Sequence, residues 1–393
     1  MTQPTSTTAP NLIVLSNGYG EDAVGALLVE ELLKQQPQMR VAAFPTVDRG
    51  HAYEKLNIPV LGPRRTMPSG GLLMHSRKLF VEDLKAGFFA MTLQQLNALR
   101  KLTPDALIVI GDIFALVLSS LIRTPNRFQV QTLVSAHHQG EPSGHANRYF
   151  MERIAYPERA LMRHLVRHTY VRDKATENFL RSMGVQRASA LGNPMLDAVR
   201  AKPIAEHGET YPNIALLPGT RRYAPEALLT MLETLTHEPG ATGLVAWAGG
   251  NLPTFPESWT AQTPPLEREG LRLILEHKGQ TVFVYEGRFA EVLHSSHIAL
   301  GTAGTANEQA AALGKPVVTF AVPPLYTETF LLNQKRLLAD ALSIAPAQPE
   351  AIAEVLRQLL QNPERAAQAG QQRMGEAGGA SRIVGDILSR LDG

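Results

Sequence analysis

The sequence predicts an α/β protein of two Rossmann-like, doubly wound domains that face a cleft. Three observations support this fold class: the chain length, the alternation of short apolar runs with amphipathic patterns, and a polar stretch with prolines near the middle. A chain of 393 residues exceeds the usual size of one domain, which is about 100–200 residues. Short strands that alternate with helices form parallel sheets, which bind ligands at the carboxyl ends of their strands.

The first domain is predicted to span residues 11–200. It follows a polar tail at residues 1–10, which lacks the apolar stretch of a signal peptide and is expected to be disordered. The apolar run at residues 11–16 predicts a buried strand, and the apolar spacing at residues 23–35 predicts the next helix. Further strands are predicted at residues 41–44, 107–110, 130–135 and 169–171, with a helix at residues 173–183.

The polar residues 201–212, which include two prolines, predict a linker between the domains. The alternation then starts again and predicts a second domain over residues 213–376, followed by a terminal segment at residues 377–393. Its strands are predicted at residues 213–217, 243–247, 281–285, 298–300 and 316–320. Helices are predicted at residues 351–360 and 381–391.

Composition and charge exclude several classes of protein. The chain contains no cysteine, so disulfides, zinc–thiolate sites and cysteine nucleophiles are excluded, and a reducing, cytoplasmic location is expected. The net charge of +2 does not favour a nucleic-acid partner, because such partners demand a concentrated basic face. The longest apolar run, at residues 106–122, contains Asp112 and is too short for a comfortable membrane span.

A Gly/Thr-rich loop after the strand at residues 298–300 is the strongest candidate for a ligand site. Its amides would suit a diphosphate at the start of the next helix, where Glu308 could accept hydrogen bonds from ribose hydroxyls. An equally weighted interpretation is a plain strand-to-helix turn with Glu308 as a favourable first-turn acid. No Gly-Lys-Ser/Thr follows, so the loop is not a P-loop. The candidate binding residues are Gly301, Thr302, Gly304, Thr305, Asn307 and Glu308.

A second loop, after the strand at residues 213–217, contains Gly219, Thr220 and Arg221. The glycine would let the backbone approach a ligand, and threonine and arginine can donate hydrogen bonds to phosphate oxygens. The alternative is a turn with solvated arginines. Because both loops follow strands of the same domain, we expect them to face a common ligand, which favours a nucleoside diphosphate.

The loop after the first predicted strand contains Gly18, Gly20 and Glu21, followed by Asp22. Residue 23 is not glycine, so the dinucleotide fingerprint is missing and a dehydrogenase is disfavoured. In this domain the loop could donate to the acceptor or to the transferred sugar, with Glu21 as a catalytic candidate. The alternative is a helix N-cap cluster with acids on the first turn.

Asp112 follows the predicted strand at residues 107–110 and could deprotonate an acceptor hydroxyl as a general base. An equally weighted alternative makes Asp112 the N-cap of a helix that begins near Ala115. His137 and His138 end the neighbouring predicted strand and are the rival bases. The chain has no Asp-x-Asp pair, so we expect no metal requirement and no tightly bound cofactor.

Residues 62–91 mix arginines and lysines with bulky apolar side chains. Such a mixture suits docking on an anionic membrane surface. The alternative is a partly buried loop and helix at the rim of the first domain.

Three segments resemble motifs of lipid-A-disaccharide synthase and, more closely, of the lipid-A-disaccharide synthase-related family. Residues 191–197 (LGNPMLD) are similar to that family's Gly-His-Pro-Leu-x-Asp segment, with Asn193 in place of histidine. Residues 217–221 resemble its Leu-Pro-Gly-Ser-Arg loop, and residues 301–308 its Ser-Gly-Thr-Ala-x-x-Glu donor loop. Asp112 falls where the family has an essential acid.

This resemblance implies a glycosyltransferase-B fold, a UDP-sugar donor, inversion at the anomeric carbon, a lipid-linked acceptor and a C-terminal helix that crosses back onto the first domain. We therefore expect transfer of a hexose or N-acetylhexosamine, with Glu286, Gly287 and Arg288 bordering the base, by a protein peripheral on the inner face of the plasma membrane. The first loop and the acceptor-side segments differ from the synthase, so lipid A synthesis is not predicted. The alternatives are a sugar-nucleotide 2-epimerase and a non-catalytic sugar-nucleotide-binding protein.

Overall fold

A computed structural model describes residues 11–47, 49–64, 88–131, 135–138, 154, 156–207, 212–220, 222–248, 250–264, 268–324 and 326–392. Contacts divide the chain into two compact units. The first comprises Met1–Asp197 and Glu376–Gly393, and the second comprises Ala198–Gly375. Each unit has its own sheet and its own hydrophobic cores.

The first unit is built on a parallel sheet with the spatial order β2-β1-β3-β4-β5-β6. Its first strands are buried and almost continuously apolar, as expected for a sheet covered by helices on both faces. The strands are β1 (Leu12–Ser16), β2 (Val41–Pro45), β3 (Ala106–Ile110), β4 (Asn126–Gln131), β5 (His168–Val171) and β6 (Ala188–Ser189). The helices before residue 190 are α1 (Tyr19–Gln35), α2 (His51–Glu54), α3 (Phe88–Leu99), α4 (Ile113–Ser119), α5 (Tyr156–His164) and α6 (Lys174–Ser182).

The fourth strand differs from the prediction. It runs from Asn126 to Gln131 and not over residues 130–135, because polar side chains alternate along it and hide its pattern. Two of these buried side chains donate to backbone oxygens: Arg127 Nη2 to Ser119 O and Ile122 O, and Gln129 Nε2 to Gly111 O. Buried hydrogen bonding thus makes a strand out of a sequence that does not look apolar.

The second unit contains a sheet with the order β14-β13-β12-β7-β8-β11-β10-β9. The first six strands in this order are parallel to one another. Strand β10 is antiparallel to both of its neighbours, β11 and β9. The strands are β7 (Asn213–Leu217), β8 (Thr242–Trp247), β9 (Thr260–Gln262), β10 (Leu271–His277), β11 (Gln280–Glu286), β12 (Ile298–Gly301), β13 (Val317–Thr319) and β14 (Leu342–Ile344). The helices are α7 (Ala224–Thr236), α8 (Phe289–His294), α9 (Gly304–Ala312), α10 (Glu328–Leu338), α11 (Pro349–Gln361) and α12 (Glu364–Met374).

The hairpin of β10 and β11 was not predicted. Its two-residue turn, Lys278–Gly279, has positive φ at both positions, 46° and 83°, as a tight hairpin with right-handed twist requires. Lysine at the first position does not signal such a turn in a sequence.

The described part of the predicted linker packs on the second unit. The amide of Ile204 donates to Ser295 Oγ at 2.7 Å, and Nε2 of the buried His207 lies 2.8 Å from the Tyr285 hydroxyl. Residues 208–211 lie outside the described residues.

The last helix, α13 (Gly379–Asp392), belongs to the first unit and packs against α1. Four of its apolar side chains join the core that contains β1 and β3: Ala380, Ile383, Val384 and Ile387. The helix is held at its start by the Asp197 carboxylate, which accepts hydrogen bonds from the amides of Gly378 and Ala380. Within the described residues, no helix has both the length and the apolar composition of a membrane span.

Replacement of Asp197 by alanine tests this attachment. We expect the free energy of unfolding to fall by about 2 kcal/mol, because the helix start loses a capping carboxylate and two amides lose their acceptor. Urea denaturation of the full chain measures the change. Asp392→Ala, at the exposed end of the same helix, is the control and should change stability by less than about 0.5 kcal/mol. Equal stability of Asp197→Ala and the wild type would contradict the role of Asp197.

Candidate functional site

Two loops of the second unit meet because their strands are neighbours. Leu217 of β7 pairs with Gly301 of β12, so the loops that follow these strands leave the same edge of the sheet. The amide of Thr302 donates to Leu217 O at 3.0 Å, and its hydroxyl donates to Pro218 O at 3.2 Å. The Tyr223 hydroxyl donates to Thr302 O at 2.8 Å. The two loops therefore form one hydrogen-bonded unit.

Gly219 permits this close approach. Its φ is 85°, and a Cβ atom at this position would lie 3.3 Å from Ala303 Cβ. Any other residue would be strained in this conformation and crowded against the second loop. Thr220 is exposed beside it, and Arg221 lies outside the described residues.

The second loop opens directly into α9. Gly304 and Thr305 are the first residues of that helix, so their amides have no partner within it and carry the positive end of its dipole. Glu308 is the fifth residue of α9 and lies on the second turn, which corrects its predicted place on the first turn. Burial, and in addition the charges of Tyr223 and Glu308, raise the pKa of Tyr326.

Asn307 supports the loop from inside. It is buried, and its Nδ2 donates to Gly301 O, the Tyr326 hydroxyl and Gln334 Oε1 at 3.1–3.2 Å. Gln334 Nε2 in turn donates to Gly304 O at 2.9 Å. The predicted ligand contact of Asn307 is therefore replaced by a role in holding the backbone of the loop.

The segment Glu286, Gly287 and Arg288 leaves the same edge of the sheet, two strands from β7. Glu286 Oε2 pairs with Arg272 at 2.6 Å, and Arg288 pairs with Glu269 at 2.9 Å. Beside Arg288 is a pocket of about 200 Å³ within the second unit. Its lining consists of Pro203, Ile204, Ala205, Arg268, Glu269, Tyr285 and Arg288.

In the first unit, Glu21 lies on the first turn of α1 at the carboxyl edge of the sheet. Its side chain is 6% exposed and lies against Gly18, where a Cβ atom would come within 2.5 Å of Glu21 Oε2. Gly20 has open space at its Cβ position. Burial, with smaller contributions from the charges of Asp112 and Asp22, raises the pKa of Glu21 to about 7. A group with this pKa can accept or donate a proton at neutral pH.

Asp112 is the N-cap of α4, which is one of the two predicted roles. Its Oδ1 accepts from the Phe114 amide at 3.0 Å and from Asn17 Nδ2 at 3.2 Å. Its Oδ2 accepts no hydrogen bond from any residue that the structure describes. The described residues thus hold the carboxylate through one of its two oxygens.

Glu158 on α5 is a third carboxyl group of this region, and it was missed in the sequence. It is 3% exposed and accepts a hydrogen bond from Gln131 Nε2 at 2.7 Å. Burial and then the charge of Asp112 raise the pKa of Glu158 to about 8. No pattern signals it, because it follows a proline and precedes an arginine like an ordinary first-turn acid.

His137 and His138 lie in a 3₁₀ turn, Ala136–His138, and not at a strand end, because β4 already ends at Gln131. Nδ1 of His138 accepts from the Ser135 amide at 3.2 Å, which places the ring proton on Nε2. Burial and the nearby Arg172 charge lower the pKa of His138 to about 4. His138 is therefore neutral and a weak base at neutral pH. Of the predicted membrane-docking residues 62–91, residues 65–87 lie outside the described part of the chain.

No protein-family model matches the chain. Lipid-A-disaccharide synthase from Myxococcus xanthus is 26% identical over an alignment of 246 residues that covers 55% of this chain. The chain is similar in sequence to lipid-A-disaccharide synthase. The resemblance predicted from the motifs is thus confirmed, and the matched region spans 60% of the length of that relative.

Solved structures are similar over almost the whole chain. MurG from Acinetobacter baumannii is 14% identical with a TM-score of 0.53, and covers 96% of this chain and 99% of its own. UDP-GlcNAc 2-epimerase from Neisseria meningitidis, bound to UDP-GlcNAc, is 15% identical with a TM-score of 0.52, and covers 96% of this chain and 100% of its own. The predicted fold class is confirmed: the chain has a glycosyltransferase-B fold.

The inward role of Asn307 can be tested by stability. We expect Asn307→Ala to lower the free energy of unfolding by about 2–3 kcal/mol, because three buried partners lose a hydrogen bond. Thr305→Ala, exposed on the same helix, is the matched control and should change it by less than about 0.5 kcal/mol. Chemical denaturation measures both, and a cost for Asn307→Ala as small as that of the control would refute the supporting role.

The raised pKa of Glu21 predicts how the stability of the chain depends on pH. The folded pKa of about 7 lies above the ordinary value of 4.5 that the group has in the unfolded chain, so its contribution to stability is fully present below pH 4.5 and is lost as pH rises through 7. Glu21→Gln removes that loss. Relative to the wild type, the free energy of unfolding of Glu21→Gln should rise by about 2.5 kcal/mol between pH 5 and pH 8. Urea denaturation at each pH measures this, Glu30→Gln on the exposed face is the control, and parallel stability curves would contradict the shift.

Proposed function

We propose that the chain is a glycosyltransferase that moves a hexose or N-acetylhexosamine from a UDP-sugar to a hydroxyl of a lipid-linked acceptor, with inversion at the anomeric carbon. The observation that carries the proposal is the joined pair of loops at the ends of β7 and β12. Two glycine-containing loops bonded to each other at a helix start offer backbone donors to a diphosphate. The sequence relative, whose name is that of a lipid-A synthase, supports a lipid acceptor.

The donor would be held by the second unit. The amides of Gly304 and Thr305 and the hydroxyls of Thr220 and Thr305 donate to the diphosphate, and Arg221 supplies a cation. Glu308, one helical turn further along α9, accepts hydrogen bonds from the ribose. The pocket beside Arg288 receives the base, with the Tyr285 ring as an apolar wall and charged side chains at its rim.

Asp112 would act as the general base. Its Oδ2 takes the proton of the acceptor hydroxyl while that oxygen bonds to the anomeric carbon. The bond from this carbon to the diphosphate oxygen breaks, and its electron pair leaves with UDP. Attack opposite to the leaving group inverts the configuration, and the helix start of α9 stabilises the departing charge. His138, whose Nδ1 is engaged and whose pKa is about 4, is the weaker candidate.

The chain would bind its lipid-linked acceptor at a membrane surface. Residues 62–91, with their basic and bulky apolar side chains, are the segment proposed to dock on anionic lipid.

Stabilisation by nucleotides tests the donor site. At a hundred times its dissociation constant, a ligand adds about 2.7 kcal/mol to stability. We expect a rise in melting temperature with UDP and with one UDP-sugar. Glu308→Ala should lose most of that rise, because the ribose loses its acceptor. Glu233→Ala, an exposed acid on a helix of the same unit, is the control and should keep it.

Stabilisation only by ADP-, GDP- or TDP-sugars would refute UDP as the donor, and no stabilisation by any sugar nucleotide would refute the transferase. An epimerase of the same fold is a second candidate, favoured by the carboxyl groups of the first unit, which offer a base and neutral acids together. Incubation with UDP-N-acetylglucosamine and no acceptor separates the two: an epimerase converts the sugar and a transferase leaves it unchanged.

A further inference from the structure

An aromatic ring lies against the start of α9, where the amides proposed to bind the diphosphate are. Gly304 is the first residue of this helix, and a Cβ atom at its position would lie 3.3 Å from Cζ and 4.0 Å from Cε1 of Phe330. Phe330 belongs to the first turn of α10. Gln334, one turn further along α10, donates to Gly304 O at 2.9 Å. Helix α10 therefore contacts the first residue of α9 through a ring and through a hydrogen bond.

Phe330 is the outermost of three aromatic rings that contact one another. The ring centroids of Tyr223 and Tyr326 are 5.9 Å apart, and those of Tyr326 and Phe330 are 5.0 Å apart. The two tyrosines are buried, and their hydroxyls donate to Thr302 O and to Gln334 Oε1. Phe330 is only partly buried, and its side chain has no polar atom. The tyrosines thus support the loop from inside, whereas Phe330 presents apolar surface at its outer side.

The strand order places Phe330 on the side of the two loops that lies away from the pocket proposed for the base. The order is β13-β12-β7-β8-β11, and α10 follows β13. The base pocket adjoins the end of β11, three strands from β12. Adjacent strands lie about 4.8 Å apart, so this separation is about 14 Å, which is comparable with the length of an extended nucleoside diphosphate. A donor with its base near β11 and its diphosphate at β12 therefore directs the group on its outer phosphate towards Phe330.

We propose that Phe330 is a specificity-determining residue for the donor, because its ring packs against the sugar that is attached to the diphosphate. This inference rests on the proposed function, which supplies the sugar nucleotide. A hexose ring has faces of C–H groups, with hydroxyls around its rim. An aromatic side chain offers such a face an apolar surface, while nearby polar groups orient the ligand. A nucleoside diphosphate without a sugar would reach the amides of α9 but not this ring.

Removal of the ring tests this contact, with UDP, UDP-glucose and UDP-N-acetylglucosamine as probes. For Phe330→Ala we expect the Kd of the UDP-sugar that binds the wild type more tightly to rise about ten-fold, because the sugar loses its apolar partner. The Kd of UDP should stay within about two-fold of the wild-type value. Isothermal titration calorimetry of the full chain measures both constants. An unchanged affinity for UDP also shows that the start of α9 has kept its structure.

Two further variants control for the shape of the site. Phe330→Tyr keeps the ring and should bind the same UDP-sugar within about two-fold of the wild type. Leu332→Ala removes an apolar side chain that is 53% exposed on the same helix, and it should change neither constant. Equal weakening of UDP and of the UDP-sugar by Phe330→Ala would mean that the ring only supports Gly304. That result, or no weakening of either ligand, overturns the inference and leaves the proposed function in place.

An assay of sugar transfer separates the inference from the proposed function. Selective loss of UDP-sugar affinity in Phe330→Ala, in a chain whose wild type transfers no sugar to any lipid acceptor, supports the contact and refutes the transferase alone. A wild-type chain that binds neither UDP nor a UDP-sugar overturns both.

Discussion

Parallel pairing of adjacent strands is the constraint from which both candidate sites follow. In the first unit, Ser16 pairs with Ile110, so Asn17 and Asp112 meet although they lie 95 positions apart. In the second unit, Leu217 pairs with Gly301, and this brings Pro218 and Thr302 together across 84 positions. All of these strands are buried, so the pairing is held by backbone hydrogen bonds and packing on both faces. The polar residues of the loops need only short, local contacts to complete each site.

The same buried sheet sustains an unfavourable set of buried carboxyl groups. Glu21, Asp112 and Glu158 approach the carboxyl edge of one sheet, and burial raises the pKa of the two glutamates to about 7 and about 8. A set selected for stability alone would resemble Glu177, which pairs with two cations and whose pKa is lowered. The first unit therefore gives up stability at its sheet edge, a feature typical of functional sites.

The sequence predicts those elements whose local pattern agrees with their final environment. β7 was predicted with the bounds that are observed, and β3, β5 and β12 within one residue. All four are buried, and β3, β7 and β12 are mostly apolar. β4 was displaced because its polar side chains are satisfied only by distant partners such as Ser119 O and Gly111 O. The site followed the same rule. The positions of the two loops and of Asp112 could be predicted, because each directly follows a strand. The inward role of Asn307 and the burial of Glu158 could not, because they depend on contacts that no local pattern contains.

The electrostatics of the two units suit different halves of the proposed transfer reaction. The second unit ends two strands in loops with glycine and threonine donors at a helix start, which attract a diphosphate and stabilise it as it leaves. The first unit gathers carboxyl groups, which repel phosphate but accept hydrogen bonds and a proton from a neutral hydroxyl. Under the proposed function, a negatively charged donor would bind poorly where Asp112 lies, and a hydroxyl would gain little activation at the start of α9. This difference in charge favours the donor in the second unit and the acceptor hydroxyl in the first.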